Sequence, residues 1–275
     1  MLHHAFDPRQ PVGQHNLGSS EQAEEMITGA NKNFVQSDYV RDFVFPLAQA
    51  KQNSDGTLRF EGYCGTGFLI GNRGYALTAL HVVQSLQAGC QLVALFASTE
   101  WRAFPVVAIE PHPAEDVAVI QIVGNWNSPF QMASSWEGAS CDYQLWGYPE
   151  DALLSETNTA LGAQIYSAPD LICFKGYIRR RITHHLSGLI GESFFELSQP
   201  AYCGCSGGPI WRHGPGKAWM VLGIYIGFRR AQDPSIPFLS VGYAVREDAF
   251  RNWKPDILRV SIEDEAAHGS LGRIK

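Results

Sequence analysis

A serine enclosed by glycine and proline is the first feature of this chain whose residue types suggest chemistry. The stretch GCSGGP places Ser206 between Gly204 and Gly207, and Gly208 and Pro209 follow. Glycine two residues before the serine lets the backbone turn the N–H groups of Gly204 and Ser206 toward one point. Two amides aimed in this way form an oxyanion hole, which stabilises the negative charge that develops during acyl transfer. The stretch therefore predicts a nucleophilic serine beside its own oxyanion donors.

A serine hydroxyl is a weak nucleophile, so it needs a general base and a group that orients this base. Among the nine histidines, His81 stands at the end of the apolar run YALTALHVV, where a strand gives way to a turn. Asp116 opens the alternating run DVAVIQI, between the histidine and the serine along the chain. Together the three residues predict a Ser-His-Asp triad. Glu115, which precedes Asp116, is the alternative acid.

The elements that must hold these residues are short apolar runs separated by turn residues. From Phe43 onward, runs such as GFLIG, QLVALFAS, FPVVAIE and YQLWGYP are too short for helices and rich in β-branched and aromatic residues. This pattern is typical of an all-β domain of many antiparallel strands. Two clusters of runs, joined by a Trp- and Ser-rich bridge at 125–140, suggest two barrels or sandwiches packed side by side. The apolar helical face from Val245 to Trp253 predicts a short closing helix.

The expected domain organisation has four parts. Residues 1–38 are polar and are expected to form a flexible extension with one short helix over SEQAEEMI. The remaining parts are the first barrel at 39–130, the second barrel with its closing helix at 131–255, and a C-terminal tail at 256–275.

Composition and charge limit the classes of partner. The 275 residues include 21 Lys plus Arg and 27 Asp plus Glu, and this net charge of -6 argues against nucleic acid as a partner. No stretch reaches the roughly 18–20 apolar residues of a membrane span, and the amino terminus lacks a signal-type apolar run, so we expect a cytoplasmic protein. The six cysteines are then expected to be reduced thiols. Because no C-x-x-C pair occurs, no metal or other cofactor is expected.

Four stretches, GTGFLI, LTALHVV, DVAVI and GCSGGP, together resemble the chymotrypsin-like, or trypsin-type, serine protease family. The resemblance runs from about Phe43 to Trp253. It implies two six-stranded antiparallel β-barrels, with His81 and Asp116 in the first barrel and Ser206 in the second. It also implies a serine endopeptidase that makes limited cuts in intracellular proteins, in stress or defence pathways by analogy with cytoplasmic bacterial relatives.

The chain departs from the digestive and clotting branches of that family at two places. Cys205 stands directly before the serine, where those branches carry an acid that pairs with a new amino terminus. Val82 follows His81, where the half-cystine partner of Cys64 would stand. The sequence therefore looks closer to HtrA-like and glutamyl-endopeptidase-like bacterial peptidases, and a trypsin-type zymogen is not expected. Cys205 is an alternative nucleophile, although the G-x-[Ser/Cys]-G-G register places it at the x.

The resemblance also implies a substrate pocket. Pro200, six residues before Ser206, stands where trypsin-type enzymes carry a charged pocket floor, so cleavage after Lys or Arg is not expected. The other residues assigned to substrate binding are Tyr225, Ile226, Gly227, Phe228 and Gly242. The first four would form a strand that pairs with the substrate backbone, and the last would leave depth at the base of the pocket. We expect the pocket to take an apolar or small side chain.

Two other classes of protein compete with the peptidase interpretation. A non-catalytic protein-binding module would keep the fold and the cleft, but such modules typically lose the serine or the histidine, and this chain has both. An esterase of another fold requires a strand, a sharp turn and a helix around G-x-S-x-G. Gly208 followed by Pro209 is a poor helix start, which disfavours the esterase.

Overall fold

A computed structural model of the chain describes residues 40–56, 58–97, 101–124, 126–134, 138–150, 153–155, 167–230 and 240–269. The extension expected at 1–38, with its short helix, lies outside the described residues. So do parts of the bridge at 125–140 and the last residues of the expected tail, 270–275.

Six antiparallel strands of the first half close into a barrel. They are β1 (Val44–Gln52), β2 (Leu58–Ile70), β3 (Tyr75–Thr78), β4 (Gln91–Ala97), β5 (Trp101–Pro111) and β6 (Ala118–Ile122). Neighbouring strands follow the order β1, β2, β3, β6, β5, β4, and β4 pairs with β1 to complete the ring. A short helix, α1 (Leu80–Gln84), follows β3.

The second half of the chain forms another six-stranded barrel. Its strands and those near it are β7 (Phe130–Met132), β8 (Asp142–Gly147), β9 (Leu153–Ser155), β10 (Ser167–Pro169), β11 (Ile172–Thr183), β12 (Ser193–Leu197), β13 (Pro209–His213), β14 (Trp219–Arg230) and β15 (Ser240–Arg246). The barrel order is β13, β8, β11, β12, β15, β14, and β13 pairs with β14 to close it. β9 and β10 form a separate two-stranded sheet. A 3-10 turn (Pro215–Lys217) and two helices, α2 (Glu247–Phe250) and α3 (Ile262–Ala267), complete the described elements.

Alternating burial explains why these runs form barrels. Along β8, Tyr143, Leu145 and Gly147 are buried, and the residues between them are partly exposed, which is the period of a strand with one face in a core. The largest apolar cluster contains residues of both halves, among them Phe68 on β2 and Phe194 on β12. The predicted fold class is therefore confirmed: the protein is mostly β, with two closed six-stranded antiparallel barrels of the chymotrypsin-like type and short helices only.

The segment 128–132, which includes β7, is bonded to both barrels. It pairs in parallel with β14, beginning with Phe130 opposite Trp219. Two residues earlier, the Ser128 hydroxyl donates a 2.6 Å hydrogen bond to the Leu69 carbonyl on β2. The domain boundary expected between residues 130 and 131 thus falls inside a strand that belongs to the second sheet.

The segment after α2 packs on the first barrel, whereas the sequence predicts a C-terminal tail at 256–275. The closing helix itself is present as α2 and buries Phe250. Beyond it, the Tyr75 hydroxyl donates a 2.7 Å hydrogen bond to the Ile257 carbonyl. Arg73 forms an ion pair with Glu265 of α3, whose side chain is fully buried. Local sequence patterns did not indicate this packing because its partners lie far away along the chain.

Three features that bear on function are lacking in the described residues. No helix there combines the length and the apolar character that a bilayer span requires. No cluster of three or more His, Cys, Asp or Glu is placed to hold a metal ion. All six cysteines lie in the described ranges, and no disulfide joins any two of them.

Candidate active site

Strand pairing in the first barrel brings His81 and Asp116 together. β3 is buried at all four positions and leads into α1, whose first turn carries His81. β3 and β6 pair antiparallel, with Thr78 opposite Ala118. The residues that follow β3 are therefore close to those that precede β6, which include Asp116.

The Asp116 carboxylate accepts two hydrogen bonds from His81. The backbone N–H donates to Oδ1 over 2.9 Å, and the ring nitrogen Nδ1 lies 2.7 Å from Oδ2. The Asp116 side chain is 5% exposed and that of His81 is 39% exposed. A carboxylate against Nδ1 keeps the proton on that nitrogen and leaves the lone pair on Nε2. The exposed part of the ring can therefore act as a base.

Thr66 on β2 holds residues 203–208, here called the serine loop, against the first barrel. Its backbone N–H donates to the Ser206 carbonyl over 2.8 Å, and its hydroxyl donates to the Gly204 carbonyl over 2.8 Å. The same hydroxyl accepts a 3.0 Å hydrogen bond from the Tyr148 N–H, and Thr66 is fully buried. No local sequence pattern singled out this residue as part of the site. Its only signal was its place in GTGFLI, which says nothing about its partner.

Gly65 and Gly207 allow the serine loop to lie close to the first barrel, next to the residues around His81. A Cβ on Gly65 would lie 2.7 Å from a methyl carbon of Val82, the residue after His81, and 2.8 Å from the Ser206 carbonyl oxygen. Gly207 has a φ of +90°, and a Cβ there would collide with the Thr66 carbonyl. Within the described part of the chain, no hydrogen bond joins the Ser206 hydroxyl to the His81 ring. Catalytic hydrogen bonds are often long in substrate-free sites and tighten when substrate binds.

The carbonyl groups that precede Gly204 and Ser206 accept hydrogen bonds, and these bonds fix the direction of the two candidate oxyanion N–H donors. The carbonyl that precedes Gly204 accepts from the Glu150 N–H over 2.9 Å, and the Cys205 carbonyl, which precedes Ser206, accepts from the Gly208 N–H over 3.0 Å. In a trans peptide the C=O and the following N–H point in opposite directions. The Gly204 N–H thus points away from Glu150, and the Ser206 N–H points away from Gly208. Among the described residues neither N–H has a protein acceptor, so both remain available to an oxyanion.

The geometry disfavours both alternative residues from the sequence analysis. Cys205 is fully buried, and its thiol packs so closely on β8 that a Cβ on Gly147 would lie 2.9 Å from Sγ. The Glu115 carboxylate accepts hydrogen bonds from the backbone N–H groups of Glu192 and Ser193 in the second barrel. In this structure neither side chain occupies the position that a nucleophile or an orienting acid requires.

The expected substrate strand lies in β14, next to the serine loop. The Gly207 N–H donates to the Tyr225 carbonyl over 2.7 Å, and the Tyr225 N–H donates to the Gly208 carbonyl over 2.9 Å. Farther along the strand, a Cβ on Gly227 would meet nothing within 4 Å, and Phe228 is 36% exposed. Open space therefore borders β14 just beyond its contact with the serine loop.

The region assigned to the pocket base is filled by the Tyr225 side chain. Its hydroxyl donates to the Ala201 carbonyl over 2.8 Å and accepts from the Ala201 N–H over 2.9 Å, and burial raises the pKa of this phenol. A Cβ on Gly242 would lie 3.2 Å from a ring carbon of Tyr225, so the depth expected beside Gly242 is occupied by the ring. Ile226 is buried, and Pro200 is partly exposed.

Two chymotrypsin-like barrels, with a histidine–aspartate pair and a glycine-lined serine loop between them, define the class of the trypsin-like peptidases. A model of the trypsin-like peptidase domain matches residues 65–224 of the chain. The chain therefore belongs to the trypsin-like peptidase domain family. No curated protein matches it.

Solved protease structures share the fold at low sequence identity. The apo protease domain of MamO from Magnetospirillum magneticum is 16% identical, with a TM-score of 0.51, covering 76% of this chain and 94% of that one. The HtrA-type protease AlgW with a decapeptide is 14% identical, with a TM-score of 0.52 and coverages of 84% and 64%. AlgW with a tripeptide is 19% identical, with a TM-score of 0.51 and coverages of 78% and 60%. The chain thus spans less than two thirds of the AlgW chains, and the likeness establishes the fold alone.

Proposed function

We propose that this protein is a serine endopeptidase that hydrolyses peptide bonds through an acyl-enzyme on Ser206. The observation that carries the proposal is the double hydrogen bond between Asp116 and His81, which leaves Nε2 of the ring as a base. Thr66 supports it because its hydrogen bonds hold the serine loop against the barrel that carries this pair.

The proposed reaction uses each residue in a defined step. Ser206 Oγ attacks the carbonyl carbon of the scissile peptide while His81 Nε2 takes the hydroxyl proton, and Asp116 stabilises the resulting imidazolium. The carbonyl oxygen becomes an oxyanion, bound by the N–H groups of Gly204 and Ser206. The C–N bond then breaks, and His81 gives its proton to the leaving amine. A water molecule, deprotonated by His81, hydrolyses the acyl-enzyme and releases Ser206.

The proposed substrate is an extended segment of a protein. The pairing of β13 with β14 ends at Pro209 opposite Ile224, so the backbone of Gly227 and Phe228 is available to a substrate strand on that side. The likeness to AlgW with bound peptides supports a peptide ligand. Because the Tyr225 ring fills the space beside Gly242, we propose a small or apolar side chain before the cleaved bond.

The proposed setting is the cytoplasm, where the protein would make limited cuts in selected protein targets, in stress or defence. Six cysteines without a disulfide are compatible with a reducing compartment. The net charge of -6 supports a protein substrate over nucleic acid.

A fluorophosphonate probe tests the nucleophile directly because it reacts with activated serines. The wild-type protein should be labelled, and Ser206→Ala and His81→Ala should each abolish labelling. Ser187→Ala, at an exposed serine in the turn after β11, is the matched control and should keep it. Labelling that persists in Ser206→Ala would contradict the proposal. A folded, unlabelled wild type that binds peptides would instead be a non-catalytic binding module.

Profiling against a peptide library tests the proposed pocket. Cleavage should be concentrated after small or apolar residues. Preferred cleavage after Lys, Arg or Glu would show that the pocket assignment is wrong even if Ser206 is the nucleophile.

A further inference from the structure

Glu115 ties the turn that carries Asp116 to the second barrel. Glu115 is 6% exposed, and its Oε2 accepts hydrogen bonds from the backbone N–H groups of Glu192 (3.3 Å) and Ser193 (3.4 Å). Ser193 is the first residue of β12, so a carboxylate of the first barrel binds the backbone of the second. Burying a carboxylate without such donors would be costly, which makes this contact specific.

The residue that faces this carboxylate is a glycine. Gly191 has a φ of +100°, a conformation that favours glycine. A Cβ there would collide with Oε2 of Glu115 and lie 2.9 Å from its Cδ. The turn before β12 therefore has both the backbone conformation and the space that the Glu115 side chain needs.

The ring of His112 is hydrogen-bonded to the backbone of the turn that carries Glu115 and Asp116. Its Nδ1 accepts hydrogen bonds from the backbone N–H groups of Ala114 (3.2 Å) and Glu115 (2.9 Å). The His112 N–H donates to the Val117 carbonyl over 2.8 Å, which completes the turn. A ring nitrogen that accepts two N–H groups cannot carry a proton itself. The structure therefore requires His112 to be neutral, with its proton on Nε2.

We propose that His112 and Glu115 are positioning residues that hold the turn 112–117, here called the acid turn, in the shape that keeps the Asp116 carboxylate on His81. The proposal rests on the proposed function, in which Asp116 orients the base. Neither side chain is hydrogen-bonded to His81 in the described part of the chain, so both act through Asp116. The Glu115 contact makes the placement of the acid depend on the docking of the barrel that carries Ser206.

The electrostatics of His112 agree with a neutral ring. Burial lowers its pKa from the ordinary value of 6.5, and the carboxylate of Glu115, the charged group that faces it, acts in the opposite direction. The uncharged indole of Trp253 also packs against the ring, with ring centroids 4.8 Å apart. Protonation would place hydrogen on Nδ1 and break both accepted bonds. The stabilisation from the neutral ring is thus complete above pH 6.5 and is lost as the pH falls through the lowered pKa.

Paired variants separate the acceptor function from the mere presence of a side chain. His112→Asn keeps an acceptor, because in turns an asparagine side chain can accept a hydrogen bond from a backbone N–H about two residues later in the chain. His112→Ala removes the acceptor. Glu115→Gln likewise keeps an acceptor oxygen, and Glu115→Ala removes it. His268→Ala, at an exposed histidine after α3, is the control.

The test measures kcat and KM on a cleavable peptide. It also follows the low-field proton resonance of the Nδ1–H between His81 and Asp116, recorded in a Ser206→Ala background. Both alanine variants should lose about 10- to 100-fold in kcat with little change in KM, since a small remote misplacement has effects of this size. They should also lose or shift the resonance. His112→Asn and Glu115→Gln should recover most of kcat and keep the resonance.

Unchanged kcat and an unchanged resonance in both alanine variants would overturn the proposal. If the melting temperature of those variants falls while kcat and the resonance stay the same, the contacts are purely structural. A wild type without hydrolytic activity would refute the proposed function, yet the resonance in Ser206→Ala would still decide the positioning role. If Glu115→Ala does not fold, Gly191→Ala decides for Glu115, because it displaces that carboxylate without removing it. If His112→Ala does not fold, His112→Phe decides for His112, because it keeps a ring of similar size without the acceptor nitrogen. An unshifted resonance in the deciding variant overturns the proposal for that residue.

Discussion

The hydroxyl of Thr66 in the first barrel donates a hydrogen bond to the carbonyl of Gly204 in the second, between residues 138 positions apart. Gly204 supplies one of the two proposed oxyanion donors, so a buried threonine sets where that donor lies relative to His81. The serine loop is thus held by the opposite barrel as well as by its own, and variants at this boundary should alter catalysis before they unfold the protein.

Thr66→Val should weaken both catalysis and stability. Valine has the shape of threonine, but it leaves the Gly204 carbonyl and the Tyr148 N–H without their partner, and each such loss costs about 1–3 kcal/mol when buried. Urea unfolding and kcat/KM on a peptide measure the two effects. Thr183→Val, at the exposed end of β11, is the control and should change neither. Full activity in Thr66→Val would mean that the serine loop does not depend on this hydroxyl.

Gly147→Ala should displace the serine loop through its contact with Cys205. A Cβ at this position would lie 2.9 Å from both Cβ and Sγ of Cys205, and the contact cannot be relieved without moving the residue beside Ser206. We expect a large loss of fluorophosphonate labelling in a protein that still folds by circular dichroism. Ser187→Ala, at an exposed serine in the turn after β11, is the control and should keep labelling. Wild-type labelling of Gly147→Ala would show that the loop tolerates the shift.

Asp116→Asn should leave the fold intact and reduce kcat by about 10⁴-fold, as in an equivalent triad, because an amide can stabilise the wrong tautomer of His81. Turnover of a peptide and thermal unfolding measure the two properties. Asp142→Asn, at an exposed acid that begins β8, should behave as wild type. An unchanged kcat in Asp116→Asn would remove this carboxylate from the mechanism.

Glu247→Gln should stabilise the protein more at pH 8 than at pH 5. Burial raises the pKa of Glu247 from 4.5 to about 7, with the nearby charge of Asp248 acting in the same direction. The folded state therefore holds a proton that the unfolded state releases, and stability falls as the pH rises from 4.5 through 7. The variant removes this penalty, which is on the order of 3 kcal/mol above pH 7.

Urea unfolding at several pH values measures the Glu247 effect. Ser187→Ala, at an exposed serine, is the control variant, and its difference in stability from the wild type should stay the same at every pH. A stability difference between Glu247→Gln and wild type that does not grow with pH would refute the assignment.

Local patterns in the sequence indicated an all-β protein in two halves, and the resemblance to the trypsin-type proteases added the six-stranded barrels. Local patterns also singled out His81, Asp116 and Ser206 as candidate site residues. Period-two burial, as along β8, follows from alternation of apolar residues, and this property is visible without coordinates. His81 and Asp116 each stand at a strand end, and the antiparallel pairing of β3 with β6 is the simplest way to join them.

The rest of the candidate site depends on contacts between distant residues, which no local pattern encodes. In the sequence Thr66 looks like an ordinary strand residue, and its hydrogen bond to Gly204 is visible only in the structure. His112 resembles a turn histidine, and only the structure shows its ring accepting two N–H groups. Tyr225 lies on a strand whose pairing with β15 shifts register between Tyr225 and Gly227, so simple alternation does not predict which side chains face the pocket.

The parallel pairing of β7 with β14 sets a limit on how this protein can be divided. A fragment that starts after Met132 would contain every strand of the second barrel, yet it would leave the Trp219–Val221 stretch of β14 without its neighbour. Uncovered strand edges recruit other chains and promote aggregation. Anyone who expresses the second barrel alone should therefore begin the fragment upstream of Phe130, and a truncation that ignores this should be recovered mainly as insoluble material.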